Sequence, residues 1–348
     1  MNIKSLLIGS AAALAAVSGA QAADAIVAAE PEPLEYVRVC DAFGTGFFYI
    51  PGTETCLKFD GYIRFQTDFG RDKSGTSDWN SFTRAQFNID TRTDTELGAL
   101  RGYIGLRGDA NNDSSRGVNV DQAFIELGGL KVGYYYNWWD DGLSGETDIL
   151  SSNKTRLNAV RYTYDAGSFY VGVAVEELEA LRSTSNLTGL VKGGSFEGPN
   201  NVGISGIIGA KFGGVNANLL GGYDTDQENG AIRAIITADI GPGTFGLSGV
   251  WASGANNYYE ESEWAVAAEY AIKATDKLTI TPGAQYLGTI DIGANNDFVG
   301  DRDAWRAGLT VDYKITQGLS AKVAANYQDV DGPNGDSWTG FVRLQRSF

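Results

Sequence analysis

From Leu57 onward, apolar and polar residues alternate with a period of two. In 57–69, Phe59, Gly61, Ile63, Phe65 and Phe69 alternate with Lys58, Asp60, Tyr62, Arg64, Gln66 and Asp68. In 82–92, Ala85, Phe87 and Ile89 alternate with Arg84, Gln86, Asn88, Asp90 and Arg92. In 100–107, Leu100, Ile104 and Leu106 alternate with Arg101, Tyr103 and Arg107. Strict alternation over such lengths predicts strands and fits no helical period. A soluble sandwich pairs its apolar faces in a core. A chain with one apolar and one highly charged face per strand suits a barrel with lipid outside and water within.

Turns set the strand count. Short connections recur at Glu96-Leu97-Gly98, Gly128-Gly129, Ala166-Gly167, Gly213-Gly214, Gly241-Pro242-Gly243, Thr275-Asp276 and Gln317-Gly318. Between them lie longer polar stretches at 70–78, 109–117, 138–158, 177–200, 224–230, 253–260, 288–301 and 329–336. Tight turns at one end and long loops at the other predict an all-β, sixteen-stranded antiparallel transmembrane barrel. The alternation breaks phase near Gln122, which leaves fourteen and eighteen strands open. Aromatic placement adds a separate indication. Trp79, Trp251, Trp264, Trp305 and Trp338, with Tyr223, Tyr286 and Tyr327, fall near the long-loop ends of strands. Tyr164, Phe169, Phe212, Phe245, Tyr270, Tyr313 and Phe348 fall near the short-turn ends. Two aromatic girdles are what two membrane interfaces require.

The ends and the composition narrow the setting. Residues 1–22 carry Lys4, an apolar run and Ala20-Gln21-Ala22, the form of a cleavable export signal. Cleavage there removes one lysine and lowers the net charge from −16 to −17. So acidic a chain argues against nucleic acid as a partner. Histidine is absent, which removes Ser-His-Asp and Cys-His triads and the commonest metal ligand; neither an enzyme nor a cofactor site is expected. Cys40 and Cys56 are the only cysteines, and in an oxidising compartment they are expected to pair. The chain therefore divides into a leader at 1–22, a lead-in with a disulfide-stapled segment at 23–56, and a barrel at 57–348. The last strand ends in Phe348, resembling the terminal aromatic signal of barrels handled by outer-membrane assembly machinery, although Arg346 departs from that pattern. Outer-membrane lipid and lipopolysaccharide are the expected surroundings.

Three motifs are better explained by turns and loops. Gly241-Pro242-Gly243-Thr244-Phe245-Gly246 matches G-x-G-x-x-G but joins strand to strand rather than opening a helix. Ser151-Ser152-Asn153-Lys154 matches S-x-x-K without its companion motifs. Asp109, Asn111 and Asp113 have calcium-loop spacing but lack the turn glycine and the final glutamate.

The stretch 138–158 concentrates the chemistry. It holds Asp140, Asp141, Glu146 and Asp148, followed by Lys154 and Arg156. Folded into a barrel it narrows the lumen; left outside it is a solvated surface loop. By parity Arg64, Arg84, Arg101 and Arg107 point inward from the first three strands, and Lys322 and Arg343 from the last two. The expected pore constriction is therefore acid on one side and base on the other. The arginines have a second reading, as structural partners of lumen carboxylates such as Asp60 and Asp90.

The run Tyr36-Val37-Arg38-Val39-Cys40-Asp41, then Gly46-Phe47-Phe48-Tyr49-Ile50-Pro51-Gly52-Thr53-Glu54-Thr55-Cys56-Leu57, resembles the alphaproteobacterial porins of the Brucella and Rhizobium type. The similarity continues through Asp121-Gln122-Ala123-Phe124-Ile125 and Gly133-Tyr134-Tyr135-Tyr136. It implies a homotrimer of sixteen-stranded barrels, each with its third long loop folded inward, passing small hydrophilic solutes by passive diffusion. A substrate-selective channel, for example for sugars sliding on Tyr62 and Tyr103, is the alternative. A non-conducting adhesive or anchoring barrel is a third reading.

Overall fold

The computed structural model describes residues 37–70, 79–111, 117–152, 154–178, 182–184, 191–193, 201–293, 295–332 and 335–348. The expected leader, residues 23–36 of the lead-in and Asp113 lie outside them, as does most of the loops expected at 70–78, 109–117 and 177–200.

Sixteen long strands form the wall. They are β1 (Cys56–Phe69), β2 (Trp79–Thr93), β3 (Leu100–Ala110), β4 (Val118–Leu127), β5 (Leu130–Tyr136), β6 (Arg156–Asp165), β7 (Phe169–Leu178) and β8 (Asn201–Phe212). The second half comprises β9 (Val215–Asp224), β10 (Asn229–Ile240), β11 (Gly243–Ala252), β12 (Trp264–Lys273), β13 (Leu278–Gly288), β14 (Ala304–Thr316), β15 (Leu319–Val330) and β16 (Ser337–Ser347). Each pairs antiparallel with its neighbours in sequence. β16 returns to β1, with Tyr62 opposite Ser347 and Phe69 opposite Gly340. Closure leaves no sheet edge, which is the condition for strands to span lipid.

All seven short connections are where the sequence places them. At Gly213-Gly214 the turn needs positive φ at both residues, 48° and 100°, which glycine adopts without a Cβ clash. The phase break in β4 is a bulge. Gly105 pairs with Gln122 and Leu106 with Val120, so Asp121 is the extra residue. The bulge leaves the strand count at sixteen and turns Asp121 into the wall, where it is buried.

The outer face is apolar and exposed, with Val171, Val173, Val175, Ile204, Ile232 and Val266 among its side chains. At the long-loop end the outward rings meet across strands. Trp264 lies 5.5 Å from Tyr286, Trp305 lies 5.3 Å from Tyr327, and Tyr327 lies 5.2 Å from Trp338. At the opposite end Tyr164 and Phe169 are 6.0 Å apart.

Cys40 and Cys56 are disulfide-bonded. The bond staples 40–56 against the start of β1, where Phe48 and Tyr49 pair with Leu57 and Cys56. Phe47 lies under the inward cations Lys58 and Arg92, at 5.9 and 5.0 Å.

Two long-loop expectations change. The connection at 225–228 is a four-residue turn between β9 and β10. Residues 255–262 are buried throughout, although their composition suggests a polar surface loop. Tyr258 donates its hydroxyl to Glu176, and Asn257 bonds Asp224 through both its backbone and side-chain nitrogens. These partners satisfy polar groups that burial alone would penalise.

Candidate functional site: the acidic segment and the arginine wall

The connection between β5 and β6 begins with a short 3-10 turn, Trp138–Asp140, capped by Asn137, whose side chain accepts from the Trp139 backbone N–H. Trp138 and Trp139 are buried among Leu150, Leu157, Leu178, Leu220 and Tyr258. The segment's polar contacts go to polar-face side chains of the wall. Arg233 on β10 donates to the carbonyls of Trp138 (2.9 Å), Trp139 (3.0 Å) and Leu150 (3.0 Å). Glu269 on β12 accepts from the backbone N–H groups of Ser144 (2.7 Å) and Gly145 (2.8 Å) and from the Ser144 hydroxyl. Gln285 on β13 both donates to and accepts from the Ile149 backbone. Thr310 on β14 accepts from the Glu146 N–H, and Asn326 on β15 bonds the Glu146 carbonyl and the Thr147 hydroxyl.

This close approach is built into the strands. A Cβ at Gly172 would lie 2.6 Å from the Trp138 ring, and one at Gly308 would lie 2.7 Å from the Thr147 hydroxyl. Both positions need a bare backbone for the segment to lie where it does.

The sequence-selected residues separate into three groups. Asp140, Asp141, Glu146 and Asp148 line one cavity of about 1150 Å³ together with Arg64, Arg84 and Arg343. Lys322 is held by Glu146 at 2.9 Å and by Asp312 at 3.4 Å. Arg101 and Arg107 are committed elsewhere: Arg101 to Asp90 (2.9 Å) and Glu126 (3.7 Å), Arg107 to Asp121 (2.8 Å). Within the cavity group, Arg84 grips Asp109 through two bonds of 2.7 and 2.8 Å, and Arg343 reaches Glu146 at 3.7 Å. Arg64 donates to the neutral Gln345 amide at 2.9 Å. Asp140 accepts from the Thr155 hydroxyl at 2.6 Å, and both Asp140 and Asp141 are exposed. Among the described residues neither of these two forms a direct ion pair, although Arg233 attracts both at longer range, so they add negative charge to the cavity that no contact cancels.

Parity did not single out Arg306, Asp68 and Asp109, which also line the cavity, or Arg233 and Glu269, which hold the segment. A charge set at mid-strand among apolar neighbours, as Arg233 is between Ile232 and Ala234, is the signal that marks such anchors.

Burial pushes the Asp148 carboxyl up to about 6, and the nearby Glu269 carboxylate adds to the rise. Because its folded value exceeds the 3.8 of the free side chain, ionised Asp148 lowers stability above about pH 6, and that cost fades as pH falls toward 3.8. The same titration reaches the cavity charge. A water-filled passage with so acidic a lining is expected to favour cations, and that preference should weaken between pH 7.5 and 5, with a midpoint near 6, in reversal potentials recorded on untagged protein. Histidine, the side chain that ordinarily titrates in that window, is absent. A midpoint near 4 would remove Asp148 from the explanation.

The profile of a family described as a porin subfamily matches residues 24–341. The chain belongs to this porin subfamily. Outer membrane protein IIIA of Rhizobium leguminosarum bv. viciae is 51% identical, covering 97% of this chain and 93% of the relative. Porin Omp2b of Brucella neotomae is 34% identical, with full coverage of both chains. Among solved structures, the outer membrane channel DcaP of Acinetobacter baumannii has a TM-score of 0.63 at 14% identity, covering 86% of this chain and 99% of that one. The trimer form of Vibrio cholerae OmpT has a TM-score of 0.62 at 15% identity, covering 85% and 100%. At such identities the two structures speak for the shared barrel, and the porin assignment rests on the family match and the closer relatives.

Proposed function

We propose that this porin is a general diffusion channel of a Gram-negative outer membrane, with the 137–155 segment narrowing its water-filled lumen. The observation that carries this is the set of hydrogen bonds from the segment to polar-face side chains on β10, β12, β13, β14 and β15 of a closed barrel. Small hydrophilic solutes and ions cross without chemistry, as a channel and not an enzyme. Wall arginines and segment carboxylates lining one cavity set up a field that sorts solutes by charge and dipole as well as by size. The trimer form of Vibrio cholerae OmpT, which shares the barrel fold, supports a homotrimer. Export by the 1–22 leader, contact with lipopolysaccharide, and recognition of β16 by assembly machinery belong to the same proposal.

Cation preference follows from which charges are cancelled. Glu146 is shared by Lys322 and Arg343, whereas Asp140 and Asp141 are exposed and make no direct ion pair among the described residues, feeling Arg233 only at longer range. The double substitution Asp140→Asn/Asp141→Asn is therefore expected to reduce cation preference without unseating the segment. The measurement is the reversal potential of single channels under a salt gradient. An unchanged potential would show that these carboxylates lie away from the ion path.

A further inference from the structure

The inward positions of β2, β1, β16 and β15 form a small lattice whose rows follow strand register. One row runs Phe82, Gln66, Arg343 and Lys322; the next begins Arg84, Arg64 and Gln345. Four cations thus occupy two adjacent rows. Their neutralisation is uneven. Arg84 has Asp109, while Lys322 and Arg343 share Glu146. Arg64 donates to a neutral amide, and among the described residues no carboxylate bonds it, so its charge faces the cavity uncancelled by them. Beside this charge are rings. Tyr62, Phe82 and Phe341 stand 4.9, 5.4 and 4.2 Å from the guanidinium carbons of Arg64, Arg84 and Arg343. Phe82 and Phe341 line the same cavity as Arg64.

Two phenyl rings on the wall of a water-filled passage contribute nothing to passing inorganic ions, and Ser, Asn or Gln would be better hydrated there. An uncancelled guanidinium presents a planar fork that matches a carboxylate. A phenyl ring offers a face or edge to a second ring, an attraction beyond the burial of area alone. We propose that this wall is a binding site for small aromatic carboxylates, with the carboxylate on Arg64 and the aromatic body against Phe82 and Phe341. Such a site lets an acidic channel retain and pass one class of organic anion that its net field would otherwise exclude. The inference rests on the porin reading given above. It differs from a purely supporting role for the rings, in which they only hold the guanidinium groups in place. In that case aromatic and aliphatic carboxylates would be treated alike.

The test uses purified full-length protein in planar bilayers bathed in potassium chloride, with sodium benzoate or sodium acetate added on one side. Benzoate is expected to lower single-channel current saturably, and acetate at the same concentration is not. Arg64→Gln should weaken the benzoate effect about tenfold or more, the loss expected for one charged hydrogen bond. Phe82→Leu and Phe341→Leu should each weaken it by roughly two- to tenfold. Arg64→Lys, which keeps the charge and loses the fork, should fall between wild type and Arg64→Gln, and it supplies the reading if Arg64→Gln does not assemble. Each variant's open steps in potassium chloride serve as its own reference. Equal responses to benzoate and acetate, or a benzoate response indifferent to Arg64, would overturn the site while leaving the porin reading standing. Folded barrels that never open would overturn both.

Discussion

Arg233→Leu should open the channel wider and weaken the barrel together. Arg233 is 1% exposed, and its guanidinium reaches three backbone carbonyls at the two ends of the acidic segment, those of Trp138, Trp139 and Leu150. It also stacks 5.0 Å from the Trp139 ring. Leucine fills part of the volume but strands the buried carbonyls of Trp139 and Leu150 and leaves that of Trp138 only the Asp141 N–H at 3.4 Å, and losing a charged donor from such a cluster costs on the order of 3–5 kcal/mol. The segment thereby loses its attachment to β10, while Gln285 still holds the Ile149 backbone, Ser152 still donates to the Tyr258 carbonyl, and the tip stays on Glu269. The expected result is a lower thermal unfolding temperature, a larger mean single-channel conductance and a broader spread of open levels. Arg233→Lys, with a charge but a single donor centre, should recover part of both. Unchanged conductance with reduced stability would mean that Arg233 supports the wall and leaves the passage alone.

The barrel was legible because its determinants are local. Alternation needs only neighbouring residues, two-residue glycine turns need only their own φ angles, and interfacial rings need only their position along a strand. The bulge at Asp121 was visible as a fault in phase but not as a bulge. One added residue looks the same as a misplaced strand end until Gly105 and Leu106 show their partners. The buried 255–262 loop was illegible for a different reason. Asn256, Asn257, Glu260 and Glu261 read as surface residues, and what buries this loop is distant in sequence: Tyr258 meets Glu176 and Asn257 meets Asp224. The candidate site was read in part. Parity found the arginines but could not say which were cancelled, because Asp109, Asp90 and Asp121 select their partners by strand register and by the bulge. Nor did parity use the small residues. Gly172, Gly222, Gly246, Ala265, Gly283 and Gly308 sit on the polar face where β1 and β2 carry long charged chains, and that asymmetry marks the half of the wall that meets the 137–155 segment.

Glu269→Gln should separate the two things this residue does. As an acceptor, its carboxylate receives the Ser144 and Gly145 N–H groups on different oxygens, and the Ser144 hydroxyl as well. Glutamine offers one oxygen and a donor, so one of those contacts becomes donor against donor. The loss is about 1.5–3 kcal/mol at the tip of the segment. Brief current fluctuations are therefore expected, with a smaller loss of stability than in Arg233→Leu, because the base of the segment remains pinned. As a charge, Glu269 opposes ionisation of Asp148. Removing it should move the midpoint of the pH-dependent cation preference toward acid. The midpoint should not return to the 3.8 of a free aspartate, since burial is the larger cause of the rise and survives the substitution. Recording reversal potentials from pH 7.5 to 4.5 in wild type and variant decides the point. A midpoint that stays near 6 while fluctuations increase would make Glu269 an anchor alone. A midpoint that shifts without added fluctuation would instead show that the tip is held by Thr310, Lys322 and Asn326 through Glu146 and Thr147.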